Sequence, residues 1–348
     1  MNGGTISSDP TQRVGFLSAV PGMLRDFGVD PTSVLASAGL SANALDDPEA
    51  RIPFASMGLL IEAATRATKC EHFGLLVGQK IGAASLGLIG ELMSHAPTLR
   101  VALRDVAIHQ HHNSRGAVAY LLECDDQALF GYAIYHPGTR AQFQIYDGAA
   151  AAGFNIIRQM IPAESLHETE VLLSRAAPED PEPYRRFFIA KLHFDADQTG
   201  VLLPRSWLDQ PIPDADAARR KQLEQRVAAY RPAGDLDIVS QVRRTLRVGL
   251  LTGEFSGDQV AERLRIPRRT LQRRLLSLGT AFQNVLDETR FEFAQYLLAY
   301  TGLAASDISM IVRYADPSVF TRAFARWTGK PPNEWRLTHR SIADPLPT

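Results

Sequence analysis

Arginine side chains and one glutamine cluster near the C-terminal end of the 348-residue chain. Leu271, Leu275 and Leu278 recur there at helical spacing, so a helix would bury one face and expose the other. In the major groove of DNA, arginine can donate two hydrogen bonds to guanine and glutamine can pair with adenine. The exposed face carries Arg268, Arg269, Gln272 and Arg273. These residue types are suited to reading DNA.

A shorter helix is predicted just before this face. Val260, Ala261 and Leu264 fall at helical spacing, and a break follows at Ile266 and Pro267. Proline fits the first turn of a helix, where the N–H that it lacks would have no partner. A short helix, a tight turn and a second basic helix are typical of a helix-turn-helix.

A second copy of this pattern occurs further along the chain. Ser306 is expected to cap its first helix, and Asp316 its second helix, with Pro317 in that helix's first position. The first helix has an apolar stripe of Ile308, Ile311 and Val312. The second helix is predicted to bury Phe320, Phe324 and Trp327 and to expose Ser318, Thr321, Arg322 and Arg326.

One longer helix, over residues 282–300, is predicted between the two copies. Its expected inward side chains are Phe282, Val285, Leu286, Phe293 and Leu297. A rigid helix of this kind can hold two recognition helices at a fixed separation. Successive major grooves on one face of DNA lie about 34 Å apart.

The stretch 255–336 resembles the DNA-binding domain of the AraC/XylS family of bacterial transcription regulators. The resemblance rests on TLQRRL at 270–275, GTAF at 279–282 and YADPSVFTRAFARWTGKPPNEWR at 314–336. Two positions depart from the family pattern. Ser309 stands where the family favours alanine, and Arg313 where it favours a glycine that eases the turn. The expected consequence is a shifted second turn or an extra phosphate contact from Arg313.

The resemblance also implies roles for the two exposed helix faces. In the first copy Arg269, Gln272 and Arg273 match positions that read base edges, while Arg268 and Arg274 are better placed for phosphates; Thr270 belongs to the same predicted surface. In the second copy the corresponding positions are Pro317, Ser318, Thr321 and Arg322, with Arg326 nearby. The first copy is therefore expected to carry most of the base readout. The alternative is a merely solvated basic helix face.

Charge is distributed unevenly along the chain, although the formal net charge is only −1. Residues 236–340 contain 16 Lys and Arg against 10 Asp and Glu, a formal charge of +6, and the remainder contains 21 against 28, or −7. A basic C-terminal module beside an acidic partner domain is consistent with binding to DNA phosphates. Neither Cys70 nor Cys124 belongs to a metal-binding pattern, so two reduced thiols in a cytoplasmic protein are expected. No signal peptide or membrane span is predicted.

The fold class expected from these patterns is an α+β domain followed by an all-α module of two helix-turn-helix units joined by a linker helix. The predicted boundaries are 13–230, a linker at 231–235, and 236–340, with residues 1–12 disordered.

Helices are expected at 53–67, with Leu59, Leu60 and Ala63 inward, and at 72–82, 142–160 and 215–230. The helix at 142–160 is expected to carry Phe143, Tyr146, Ala150, Phe154 and Ile157 along one side. Two further helices are expected to meet at a break at Ala96 and Pro97, with Thr98 or Pro97 opening the second. A β-hairpin is expected at 117–135, with Asp125, Asp126 and Gln127 between its strands. Further strands are expected at 170–173, 191–194 and 200–203, and a last connection to the sheet at 208–213.

The N-terminal part resembles the arabinose-binding type of effector domain found in one branch of the same family. The resemblance rests on GLIGELM at 87–93 with PTL at 97–99 and on the succession of helices and strands. It implies a sensing and dimerising role and does not identify the ligand. Aromatic and polar residues predicted to line a ligand pocket, or alternatively to form plain core, are Tyr132, His136, Arg140, Phe143 and Tyr146.

Other chemistries find little support in the sequence. His109, His111 and His112 lack the further ligands that a zinc site needs, so the end of a helix is the expected explanation. Ala83 replaces the first glycine of a nucleophile elbow around Ser85, and no phosphate-binding loop occurs. No catalytic residue, metal or cofactor is predicted.

The leading interpretation is a sequence-specific transcription regulator of double-stranded promoter or operator DNA. The resemblance implies a homodimer that responds to a small-molecule effector, activates transcription and contacts RNA polymerase. One alternative is a DNA-binding module fused to an enzymatic domain, such as a DNA alkyl-transfer protein with metal-held cysteines. Another is an architectural protein that binds DNA regardless of sequence.

Overall fold

The computed structural model describes residues 10–134, 136, 138–229, 238–253, 255–264, 266–300 and 303–339. The chain divides into two compact units, Met1–Ala229 and Tyr230–Thr348. The predicted linker at 231–235 lies outside the described residues, so the boundaries at 230 and 236 stay predictions. The fold class is confirmed: an α+β unit is followed by a helical unit.

The first part of the α+β unit is mostly helical. A short antiparallel ribbon joins β1 (Thr11–Arg13) to β2 (Arg51–Pro53). The expectation that disorder extends to residue 12 is therefore wrong, because the backbone of residues 11–13 pairs with a strand. The helices are α1 (Val20–Asp26), α2 (Pro31–Ser37), α3 (Phe54–Thr68), α4 (Phe73–Gln79), α5 (Leu88–Ser94) and α6 (Leu99–Asn113).

A five-stranded sheet follows, with the strands in the order β3-β4-β7-β5-β6. All its neighbouring strands are antiparallel except β5 and β6. The predicted hairpin forms, and its turn consists of Asp125 and Asp126 because Cys124 pairs with Gln127. The elements are β3 (Ala117–Cys124), β4 (Gln127–Ile134), α7 (Gln142–Arg158), β5 (Glu170–Leu172), α8 (Glu182–Phe187), β6 (Lys191–His193), β7 (Thr199–Pro204) and α9 (Ala217–Ala229).

The long helix α7 packs against the sheet on one side and against α4 on another. The two helices can approach closely because Gly74 has no side chain. A Cβ atom at that position would lie only 1.9 Å from the backbone oxygen of Gln144. Toward the sheet, Phe154 is fully buried in the hydrophobic core, where its ring contacts those of Phe187 and Phe188. The sequence predicted this helix and the inward positions Tyr146, Ala150, Phe154 and Ile157, whereas Phe143 is only half-buried.

Two predictions for this unit are wrong in detail. Leu59 was expected to point inward but is 38% exposed, because the buried side of α3 runs through Leu60, Ile61 and Ala64. Residues 208–213 do not join the sheet. Arg205–Asp209 is a 3-10 helix, and the segment after it bonds instead to the start of α6, where the Leu99 N–H donates to the Gln210 carbonyl.

The second unit contains seven helices within its described residues. The helices of its first half pack together around an aliphatic core. The helices of its second half pack through aromatic rings, such as those of Phe291 and Trp327, whose centroids lie 5.0 Å apart. None of the described helices is long and apolar enough to cross a membrane. The helices are α10 (Ile238–Thr252), α11 (Gly257–Arg263), α12 (Arg268–Ser277), α13 (Phe282–Tyr300), α14 (Ala305–Ile311), α15 (Pro317–Thr328) and α16 (Pro332–His339).

Candidate DNA-binding surface

The first predicted helix-turn-helix corresponds to α11 and α12. Ser256 caps α11 by accepting from the Gln259 N–H, and the Gln259 side chain accepts from the Ser256 N–H in return. Leu271 and Leu275 of α12 are buried in the aliphatic core. Leu278 was expected to be buried as well but is 55% exposed, because α12 ends at Ser277.

The outer face of α12 carries unengaged polar groups. The side chains of Arg269, Gln272, Arg273 and Arg274 are exposed and form no hydrogen bond or ion pair within the described chain. Arg268 differs, because its guanidinium pairs with the carboxylate of Asp258 on α11. Thr270 is half-buried. The α12 surface therefore presents three cations and an amide whose donors are available to an external acceptor.

The second predicted helix-turn-helix corresponds to α14 and α15. Asp316 caps α15, as expected, by accepting from the Ser318 N–H at 2.6 Å. Hydrogen bonds from the Ser318 side chain and N–H hold the pKa of Asp316 below its ordinary value. Ser306 is not a cap, because α14 begins at Ala305 and its N-cap position is occupied by Ala304, which makes no side-chain cap.

The exposed face of α15 is more engaged with its own helix than that of α12. The Thr321 hydroxyl donates to the Pro317 carbonyl at 2.9 Å, and the Arg322 guanidinium lies 3.5 Å from the Ser318 hydroxyl. Arg326 is exposed. Phe320 and Phe324 are fully buried, as predicted, whereas Trp327 is only half-buried. The predicted division of α15 into inner and outer sides is otherwise present.

The turn before α15 contains a residue in the left-handed backbone conformation, and that residue is Arg313 instead of a glycine. Arg313 has a φ of 59°, and its Nε donates to the Leu250 carbonyl near the end of α10 at 2.6 Å. Arg290 of α13 braces the same turn by donating to the carbonyls of Val312, at 3.1 Å, and Arg313, at 2.9 Å. Its guanidinium also lies over the ring of Tyr314. The Arg313 side chain is thus bound within the unit.

The linker helix α13 contacts helices on both sides of it. Phe282 is only half-buried, whereas the other predicted inward residues are buried: Val285, Leu286, Phe293 and Leu297. Arg243 and Arg247 of α10 form ion pairs with Glu288 and Glu292 of α13, at 2.6 and 2.9 Å. At 1.5 Å per residue a helix of this length spans about 28 Å, the same order as the distance between successive major grooves.

The predicted ligand residues of the first unit are mostly occupied elsewhere. Only Tyr132 lines a cavity, of about 120 Å³, between α7 and the sheet. Arg140 pairs with Glu62 at 2.7 Å. His136 lies beside Phe54, with ring centroids 5.6 Å apart, and the Tyr146 hydroxyl accepts from the Ile134 N–H at 3.4 Å. Phe143 is half-buried and does not line the cavity.

Sequence reasoning missed three polar residues of this cavity, Gln12, Gln110 and Gln144. A signal for Gln110 was present, because it continues the buried stripe of Leu99, Leu103 and Val106 along α6. The histidines near it contact one another, with the rings of His111 and His112 4.1 Å apart. Across the described residues, no group of three or more His, Cys, Asp or Glu is placed to hold a metal.

Comparison with known proteins covers both units. Residues 28–212 match the family model of the N-terminal arabinose-binding domain of AraC transcription regulators, and residues 260–338 match a helix-turn-helix domain model. The ornithine utilization regulator of Pseudomonas aeruginosa is 26% identical over 329 residues, which cover 93% of this chain and 95% of that protein. The transcriptional regulator VirS of Mycobacterium tuberculosis is 23% identical over 316 residues, covering 90% and 93%.

A crystal structure of the transcriptional regulator CdpR from Pseudomonas aeruginosa aligns with a TM-score of 0.39 at 21% identity, covering 90% of this chain and 98% of that one. The match to the arabinose-binding domain model extends over more than half of the 348 residues. The helix-turn-helix match falls on the unit that carries α12 and α15. The chain therefore belongs to the AraC family of DNA-binding transcription regulators.

Proposed function

We propose that this regulator discriminates between DNA sequences mainly through α12. The observation that carries the proposal is the set of unengaged donors on that helix, those of Arg269, Gln272 and Arg273. Arginine and glutamine are the side chains that pair bidentately with guanine and adenine in the major groove. The exposed face of α15 has fewer free donors, so it contributes mainly backbone contacts and Arg322.

The proposal includes an effector-controlled homodimer in the cytoplasm that activates transcription through RNA polymerase. The family resemblance supports these roles. The cavity in the first unit supports effector binding, and its lining contains no carboxylate, imidazole, thiol or amine that would serve as an acid, base or nucleophile. The first unit is therefore proposed to be a sensor and not an enzyme.

The name of one relative refers to ornithine utilization. Ornithine carries a carboxylate and two amino groups, and an ion moved from water into an apolar cavity needs an oppositely charged partner. No charged side chain lines the cavity of this chain. Ornithine is accordingly not proposed as its effector.

Substitution of Arg273 tests the readout. The wild-type protein would first select its preferred site from a library of random duplexes, and affinities would then be measured on that site and on a scrambled duplex. Arg273→Ala should weaken binding to the selected site by about 1–3 kcal/mol, or about 5- to 150-fold. The loss on scrambled DNA should be smaller, since only a general electrostatic contribution is removed.

Two further variants make the interpretation specific. Arg273→Lys keeps the charge but not the planar two-donor group, so it should lose site preference as Arg273→Ala does. Arg185→Ala removes one exposed cation from α8 in the other unit and should leave site preference unchanged. Full recovery of site affinity with lysine would identify Arg273 as a phosphate contact and overturn its proposed role.

A further inference from the structure

The cavity in the first unit is bounded by α7 and by strands β3, β4 and β7, with contributions from α3, α4 and α6. Most of the lining positions on α7 are small. They include Gly148, Ala149, Ala152 and Gly153, and a Cβ atom on Gly153 would make only ordinary contact with the Phe130 ring, at 3.5 Å. The sheet faces these positions with the larger Phe130, Tyr132 and Val201. Space remains because small residues on the helix oppose the sheet.

Gln110 brings an uncommitted polar group to this apolar space. The residue is 8% exposed and lines the cavity. Its side-chain amide forms no hydrogen bond within the described chain. An amide has both a donor and an acceptor, and those of Gln110 are accessible and not used by the described protein. A mostly buried residue whose free amide lines an apolar space points to a ligand partner.

The two other glutamines of the lining are more committed. Gln144 uses both ends of its amide, because its oxygen accepts from the Gly74 N–H at 2.6 Å and its nitrogen donates to the Glu71 carbonyl at 2.5 Å. The Gln12 nitrogen donates to the Arg13 carbonyl at 3.1 Å. Gln110 is therefore the anchor that can both donate to a ligand and accept from it.

The lining also restricts the charge and the size of the ligand. It contains no charged residue, so an ionic group would lose its hydration without gaining a counter-ion. A cavity of about 150 Å³ with aliphatic and aromatic walls accommodates benzene, and this one measures about 120 Å³. The part of the ligand inside the cavity is thus of single-ring size and uncharged.

We propose that the cavity binds a small neutral molecule with an apolar body of about six to ten non-hydrogen atoms and one hydroxyl or amide group bonded to Gln110. The ligand class follows from the cavity itself. Only the expectation that this ligand controls DNA binding rests on the function proposed above.

Phenol and toluene are matched probes, because both are neutral single rings and only phenol carries a hydroxyl. In titration calorimetry with the full chain, phenol should bind saturably and more tightly than toluene. Benzoate and benzylammonium, which add a charge, should not bind at concentrations that saturate with phenol. Thermal unfolding with phenol present should show a higher Tm, since a ligand that binds only the folded state stabilises it.

Variants assign the binding to this cavity. Ala152→Leu places three additional carbon atoms in the cavity and should abolish phenol binding. Gly153→Ala adds a methyl group that has room in the fold and should weaken phenol binding. This milder variant remains informative if Ala152→Leu does not fold. Gln110→Met keeps the length of the side chain and removes the amide, so phenol should lose its advantage over toluene.

The proposal is overturned if phenol shows no saturable binding, if benzoate binds equally well, or if Ala152→Leu and Gly153→Ala bind phenol as the wild type does. It is also overturned if Gln110→Met keeps the full preference for phenol. DNA affinity would be measured in parallel. Unchanged DNA binding with phenol in the cavity would refute effector control while supporting the ligand class, so the two proposals can fail separately.

Discussion

Replacing Arg313 with alanine and with glycine should separate the backbone strain of the second turn from the hydrogen bond that offsets it. A residue with a Cβ atom at a φ of 59° is strained, at a cost of roughly 1–2 kcal/mol. The Arg313 guanidinium compensates by donating to the Leu250 carbonyl at 2.6 Å. This carbonyl lies near the C-terminal end of α10, where a positive charge interacts favourably with the helix dipole.

The magnitudes of these two effects set an order of stability. A hydrogen bond to a charged group contributes about 1.5–3 kcal/mol, and the exposure of Arg313 places this bond at roughly the lower end of that range. Arg313→Ala loses the bond and keeps the strain, so it should destabilise the turn by about 1–2 kcal/mol. Arg313→Gly loses the same bond but relieves the strain, and should be about 1 kcal/mol more stable than the alanine variant.

Hydrogen exchange of the α14 and α15 amides in the full chain measures these differences locally. A gap of 1 kcal/mol corresponds to roughly a fivefold difference in the opening equilibrium. Arg322→Ala, which removes an exposed arginine from α15 without touching the turn, is the control and should leave the exchange rates unchanged. Equal protection in the glycine and alanine variants would refute the strain argument. Wild-type protection in the alanine variant would refute the hydrogen-bond argument.

Two further predictions concern helix packing and helix capping. Gly74→Ala should lower the Tm of the first unit, at a cost of about 1–3 kcal/mol, because the new methyl group meets the α7 backbone. Gly153→Ala should raise the Tm, with a gain of about 0.5–1 kcal/mol. Equal effects of Gly74→Ala and Gly153→Ala on the Tm would contradict the close packing of α4 on α7. Asp316→Ala should reduce amide protection at the start of α15 at neutral pH, whereas Asp316→Asn should largely keep it. The Asp316 pKa lies below its ordinary value of 3.8, so the capping contribution is present above that pH and lost as the pH falls through the folded pKa. An alanine effect that persists in acid would show that the carboxylate is not the cause.

Local signals in the sequence were sufficient for much of the fold. The sequence placed the start of α6 at Thr98 or Pro97, and the Thr98 hydroxyl does accept from the Val101 N–H at 3.4 Å. The polar residues Asp125, Asp126 and Gln127 predicted the hairpin, although Gln127 pairs with Cys124 and so belongs to β4. Such features depend on neighbours within a few residues, which sequence spacing shows directly. The helix-turn-helix units were predictable for the same reason, because their buried leucines and aromatics recur at helical intervals.

Features that depend on distant segments were not predictable in this way. The exposure of Leu59 follows from which side of α3 meets the core, and the α3 sequence offers apolar residues on more than one side. Residues 208–213 pair with the start of α6 because of tertiary contacts. The cavity combines positions as far apart as Gln12 and Val201, so aromatic spacing within one segment led to Phe143 and Tyr146 and missed Gln110.

Helix α6 carries both the Gln110 amide and the group that anchors α9, the last helix of the first unit. Asp105 of α6 accepts from the Arg220 guanidinium of α9 at 2.7 Å, and Arg220 also donates to the Leu92 carbonyl of α5 at 3.2 Å. Burial raises the pKa of Asp105, while the neighbouring guanidinium opposes that shift. A ligand at Gln110 and the end of the first unit are therefore connected through one helix.

An effector controls DNA binding only if it favours one arrangement of the protein over another. If α6 and α9 transmit that preference, Arg220→Ala should reduce the effect of phenol on DNA affinity while leaving phenol binding itself unchanged. Arg220→Lys, which keeps the charge that pairs with Asp105, is the control and should retain more of the response. Loss of phenol binding in Arg220→Ala would instead assign Arg220 a structural role in the cavity. An unchanged DNA response would show that the signal does not pass through this ion pair.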